Sequence, residues 1–179
     1  MSDPFDTLGV TASFDLDLAA LEARHRDLSR ALHPDRYAGR PPAERRMALS
    51  RAIEVNEALR TLKDPVKRAE ALLARRGVLL EEGQEPRATP SFLMEMLELG
   101  EALSAARASV ERATAIADEL EGREAGVLAR LSAAFGAVEQ GEPIGAPPSA
   151  VVEISALIGE LRYYRRLLGE ARAIQDEIG

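Results

Sequence analysis

The stretch Leu28-Ser29-Arg30-Ala31-Leu32-His33-Pro34-Asp35 decides how this chain is read. Upstream, Leu18, Leu21, Leu28 and Leu32 recur at helical spacing on one face of a segment that also carries Arg24, Arg26 and Arg30. Pro34 disfavours helical geometry at His33, so the helix stops there and a tight polar loop follows. Downstream, a second amphipathic helix is predicted over about 41–62, with Ala48, Ala52, Val55, Leu59 and Leu62 as its apolar stripe. His33, Pro34 and Asp35 therefore form the displayed tip of a helical hairpin.

Outward from that hairpin, Asp3-Pro4-Phe5-Asp6-Thr7-Leu8 predicts a short helix ended by Gly9. The hairpin's first helix starts at Asp15 or Asp17, whose negative charge suits a helix N-terminus. Asp64-Pro65 restarts a fourth helix, Asp64 as N-cap and Pro65 in the first turn, which runs to Gly77. The opening Asp3–Val10 segment, the tripeptide, the Asn56-Glu57-Ala58 and Leu62 positions, and the Asp64-Pro65 and Arg68-Ala69 close stand in this order over about residues 3–76. Together they resemble the J-domain of the DnaJ class of co-chaperones.

Composition bounds what the chain can do. Its 179 residues suffice for one domain or two small ones, and abundant Ala, Leu, Glu and Arg favour helices. There is no Cys, which excludes disulfides, a zinc knuckle and a thiol nucleophile. No apolar run approaches the ~20 residues that span a bilayer, and no cationic leader precedes an apolar core. A soluble cytoplasmic protein, with no membrane partner, is the expectation. Residues 1–76 hold 14 Lys and Arg against 12 Asp and Glu; residues 77–179 hold 9 against 18. An acidic second half argues against nucleic acid, which needs a basic footprint. The arginines gathered around the tripeptide, Arg24, Arg26, Arg30, Arg36, Arg40, Arg45 and Arg46, suit an acidic protein surface.

The rest of the chain reads as helix throughout. Gly83–Pro90 is a linker, and Val78-Leu79-Leu80 before it is expected to pack into the joint between domains. Helices are predicted over about 90–121, 122–138 and 149–178, with Gly141–Pro148 as a loop, and an antiparallel three-helix bundle is the simplest packing. Met96, Leu99, Leu103, Ala106, Val110, Ala113, Ala117 and Leu120 keep 3-4 spacing and form the inward seam of the first of these helices. Leu93, Met94, Leu97, Glu98 and Glu101 centre roughly 170° from that seam. On the last helix Ile154, Leu157, Leu161, Tyr164, Leu168 and Ala171 face inward, leaving Tyr163 roughly 120° away. Packing of Leu93, Met94 and Leu97 against the first domain or the linker is one reading. A partner-protein site is favoured, because an apolar cluster containing Met and an aromatic, edged by carboxylates, has interface composition.

The block Phe92-Leu93-Met94-Glu95-Met96-Leu97-Glu98-Leu99-Gly100-Glu101 narrows the resemblance, with Arg68-Ala69-Glu70-Ala71-Leu72-Leu73 before it and Leu161-Arg162-Tyr163-Tyr164 after it. It looks like the signature of the HscB family, J-proteins of iron–sulfur cluster assembly. The resemblance implies an all-α chain: a J-domain over 1–76, a linker over 77–89 and a C-terminal antiparallel three-helix bundle over 90–179. It also implies two partners, an IscU-type cluster scaffold protein and a DnaK/HscA-type chaperone whose ATPase is stimulated. By position, Leu93, Met94, Leu97, Glu98, Glu101 and Tyr163 would contact the scaffold, and His33, Pro34 and Asp35 the chaperone. Leu32 and His25 stand where J-domains carry aromatics, Gly100 interrupts the scaffold-binding helix, and Tyr163 replaces a Phe.

No catalytic role is expected. No Ser or Cys nucleophile and no Gly-rich phosphate loop accompanies His33. His33 and Asp35, two residues apart with no third ligand, do not make a metal site, and no cofactor is implied. Asp35 reads instead as an anchor for an arginine of the partner, and Pro34 stiffens its loop. Arg26 and Arg30, one turn apart, are read either as a solvated row or, with Arg36, as steering charge toward the chaperone. Arg45 and Arg46 are read as ordinary surface, and His25 as a satisfied core histidine. A J-protein with another client and a homodimeric helical scaffold are the rival readings.

Overall fold

The computed structural model describes residues 2–80, 88–139 and 148–178. Most of the linker stretch and residues 141–147 of the second loop lie outside them. The described residues are helical with no strand, and the chain divides into a unit over Met1–Leu79 and another over Leu80–Gly179.

The first unit holds α1 (Pro4–Leu8), α2 (Leu18–Ala31), α3 (Pro42–Lys63) and α4 (Pro65–Arg75), with a 3-10 turn over Pro34–Tyr37. Asp3, Asp17 and Asp64 each accept two backbone N–H bonds at the start of α1, α2 and α4, so three of the four helices begin on a side-chain cap. Gly9 ends α1 at φ 64°. A Cβ there would sit 3.2 Å from Arg24 Nη2, and Arg24 Nε donates to the Leu8 carbonyl at 3.1 Å. Gly9 thus allows both the left-handed turn and the docking of α2 on the end of α1.

Helices α2 and α3 run antiparallel, since Glu22 pairs with Lys63 at 2.7 Å while His25 meets Asn56 at 2.8 Å. Phe5, Leu8, Phe14, Leu21, Val55, Leu62 and Leu73 are buried between the helices. The apolar stripes are narrower than the spacing predicts: Leu18 is exposed, and Leu28, Leu32, Ala52 and Leu59 are half-buried. His25 is half-buried rather than a core residue; its Nε2 meets Asn56 and lies 3.3 Å from Ser29 Oγ, a polar bridge between α2 and α3. At the α3–α4 elbow, Arg68 donates to the Leu62 carbonyl at 2.7 Å and lies over the Phe14 ring. Its burial pulls the guanidinium below its ordinary pKa, against the attraction of Asp15 and Asp64. Leu79 is 80% exposed, and Val78 and Leu80 are half-buried.

The second unit holds α5 (Pro90–Ala105), α6 (Val110–Glu139) and α7 (Pro148–Ile178). The predicted boundary at Gly122 is wrong: α6 runs through it, and the break falls at a 3-10 turn over Ala106–Ala108 followed by extended Ser109. Ser109 Oγ accepts the Arg112 N–H, capping α6, and donates to Glu111; the backbone N–H of Glu111 itself, and then that hydroxyl, hold the Glu111 carboxyl below its usual range. Pairs Gln175–Thr114, Arg172–Glu121, Arg165–Glu124 and Arg130–Glu160 climb one helix as they descend the other, so α6 and α7 are antiparallel. Glu95 pairs with Arg123, about as far after the turn as Glu95 is before it, which folds α5 back along α6. The predicted seam is buried except at half-buried Val110, and all six predicted inward residues of α7 are buried.

Candidate partner-binding surfaces

His33 leaves α2 with ψ 134°, the extended geometry that a following proline favours, and caps the 3-10 turn. Its Nδ1 accepts the Asp35 backbone N–H at 3.3 Å. The Asp35 carboxylate lies 3.4 Å from the same nitrogen. The Asp35 side chain is 89% exposed, and His33 and Pro34 are exposed beside it. The loop therefore presents a carboxylate on a turn stiffened by its own proline and its own histidine. Arg26, Arg30 and Arg36 are all exposed; Arg26 lies 4.0 Å from Glu22 and Arg30 3.5 Å from Asp27.

In the second unit, α5 buries Phe92, Met96, Leu99 and Leu103 and turns Leu93, Met94 and Leu97 outward, 47%, 57% and 56% exposed. Glu98 and Glu101 are exposed along the same face and form no ion pair among the described residues. Contacts of three residues, Thr89, Phe92 and Glu95, fix the pitch of that face. Thr89 caps α5 by accepting the Phe92 N–H, and the Phe92 ring packs edge-on against Tyr163 and Tyr164, with centroids 5.7 and 5.6 Å apart. Glu95 pairs with Arg123, which also holds Glu119, and accepts weakly from the Tyr164 hydroxyl at 3.4 Å. Burial raises the Tyr164 phenol above its ordinary pKa.

Tyr163 is 37% exposed, and Phe92 joins it to the base of the α5 face. Above its ring, at 5.6 Å, lies the Arg166 guanidinium, itself 3.8 Å from Glu170. Sequence reasoning missed Arg166 and the buried contacts of Phe92 and Glu95. The i,i+3 spacing of Tyr163 and Arg166 was the available signal for the first. Among the described residues no cluster of three metal-ligating side chains occurs, and no helix is long and apolar enough to cross a membrane.

A DnaJ domain model matches residues 3–71, and a model of the HSCB C-terminal oligomerisation domain matches residues 88–172. A co-chaperone protein HscB homolog from Burkholderia multivorans is 40% identical over 129 residues, 71% of this chain and 74% of that protein. One from Vibrio cholerae is 30% identical over 177 residues, 97% of each. The solved structure of chaperone HscB from Vibrio cholerae has a TM-score of 0.82 at 27% identity, covering 99% of this chain and 100% of that one. Human co-chaperone HscB has a TM-score of 0.83 over 97% of this chain and 82% of its own, a likeness of fold at 24% identity. With a J-domain before a helical C-terminal domain, and relatives of that name along almost its whole length, this chain belongs to the HscB family of co-chaperones, which is no class of catalyst.

Proposed function

We propose that this chain is a cytoplasmic adaptor of iron–sulfur cluster assembly that delivers an IscU-type scaffold protein to a DnaK/HscA-type chaperone and stimulates that chaperone's ATPase. In this reading residues 1–76 dock on the chaperone through His33, Pro34 and Asp35, with Arg26, Arg30 and Arg36 steering the approach. Residues 90–179 hold the scaffold on Leu93, Met94, Leu97, Glu98, Glu101 and Tyr163. The observation that carries it is the outward apolar face of α5, kept exposed while Phe92 and Glu95 anchor the opposite side of the same helix. Such a face loses little ordering entropy on binding, and its carboxylates form a polar rim. Carrying both partners on one chain raises their effective concentration for each other. The rate gain belongs to the chaperone's own chemistry; the adaptor supplies binding energy that favours its hydrolysing state.

The test is steady-state ATPase of the chaperone with this protein and the scaffold added separately and together. More-than-additive stimulation is expected. Stimulation by this protein alone, unchanged by the scaffold, would point to a different client, and none at all would refute the chaperone role.

A further inference from the structure

Side chains open to oxidation are few in this chain. It has no cysteine and no tryptophan, so the thioethers of its four methionines are the groups that a peroxide attacks most readily. Met1 lies outside the described residues. Of the other three, Met96 is 7% exposed in the core of the second unit, Met47 is 65% exposed on α3, and Met94 is 57% exposed on α5. Met94 and Met96 stand two residues apart on one helix, about 200° around its axis. A single element thus buries one sulfur and shows the other to water.

The place of Met94 decides what its oxidation does. Leu93 and Leu97 border it on the outward face of α5. Glu98, one turn further along, and Glu101 set negative charge beside it, which repels anionic oxidants and favours a neutral peroxide. The sulfur lone pair attacks one peroxide oxygen: an S–O bond forms, the O–O bond breaks, sulfur gives up two electrons, and the second oxygen leaves as water. In the free protein the new S=O group stays in solvent, and the buried contacts of Phe92, Met96, Leu99 and Leu103 are untouched. Against a partner's apolar surface the same group is desolvated among leucines that offer it no donor, and burying a polar group in that way is costly.

We propose that Met94 is a site of reversible oxidation by hydroperoxides, at which conversion of the thioether to the sulfoxide loosens the hold of the α5 face on the cluster scaffold. The inference rests on the scaffold-binding reading of that face and adds a redox control to it. The reverse step takes a dithiol-dependent methionine sulfoxide reductase: two thiols become a disulfide, and the sulfoxide oxygen leaves as water. This chain has no thiol and cannot perform that step on itself.

The test treats the full chain with hydrogen peroxide, removes the peroxide and maps the products by tandem mass spectrometry. Cleavage at arginine keeps Met94 and Met96 in one peptide over 88–107, so the two sulfurs are compared within a single species. Oxygen should enter at Met94 and Met47 at least about tenfold faster than at Met96. Calorimetric titration with cluster-free scaffold should then show binding about tenfold weaker than before treatment, the scale of one polar group buried without a partner, at an unchanged thermal midpoint. The reductase with its dithiol should restore the affinity. Met47→Leu should lose affinity on treatment as the wild type does, whereas Met94→Leu, whatever its own affinity, should lose none. The proposal is overturned, with the scaffold reading left standing, by any of three results: Met94 reacting no faster than Met96, oxidised protein binding as tightly as untreated protein, or Met94→Leu weakened by peroxide as much as the wild type. Untreated wild-type protein that does not bind the scaffold refutes the scaffold reading itself, and the redox control falls with it.

Discussion

Asp35 is exposed to solvent and its side chain closes no packing contact, so Asp35→Asn should abolish ATPase stimulation while leaving the thermal midpoint within about 1 °C of wild type. Chaperone ATPase and a circular-dichroism melt, run on one preparation, check both halves of that statement. Leu97→Ala should weaken scaffold binding by about 1–2 kcal/mol, roughly tenfold, measured by calorimetric titration. Tyr164 gives a prediction in pH. Burial raises its folded pKa above the unfolded value, so its contribution is whole below the ordinary tyrosine range and is lost as pH rises through the folded pKa. The thermal midpoint should fall as pH climbs beyond about 10, and Tyr164→Phe should flatten that fall. At this scale the sequence exposed Leu93, Met94 and Leu97 because a helix turns its faces by a fixed angle. It was silent on Glu95–Arg123 and on Arg166 above Tyr163 as a pair, since the first depends on which helices become neighbours and the second on a rotamer.

Between elements, the hairpin and its caps were legible because Asp and Pro act locally: Asp17, Asp64 and Pro34 set the structure within two or three residues of themselves. The α5–α6 break was not. Ala106 and Val110 are four apart, so the apolar phase passes through the turn unaltered, and periodicity reads one helix where there are two. Gly122 looked like the boundary, yet a glycine's entropic cost is only about 1 kcal/mol, less than α6 gains by packing Ala117, Leu120 and Val127 on either side. The same arithmetic applies to Gly100 in α5, where a Cβ meets no atom within 4 Å. Gly100→Ala should therefore stabilise the protein by about 0.5–1 kcal/mol in urea titration. Gly9→Ala should do the reverse, because it must adopt φ 64° and push against Arg24.

Across the whole molecule, charge is divided as the two proposed tasks require: 14 basic against 12 acidic residues over 1–76, and 9 against 18 over 77–179. Added salt should accordingly weaken chaperone engagement, where unpaired arginines lead, more steeply than scaffold engagement, where apolar area leads. Half-saturation values for each partner at low and high ionic strength check this; equal slopes would contradict it. The chain also contains no tryptophan and three tyrosines, at 37, 163 and 164. Its near-ultraviolet emission is consequently a tyrosine signal, with two of the three fluorophores packed edge-on against Phe92 beneath the α5 face and the third closing the turn that follows the tripeptide. Cargo settling over Tyr163 would shift the Arg166 guanidinium or the solvent around that ring, and a change in quantum yield would follow. On the proposed reading, loading would then be readable from the protein's own emission, without any label.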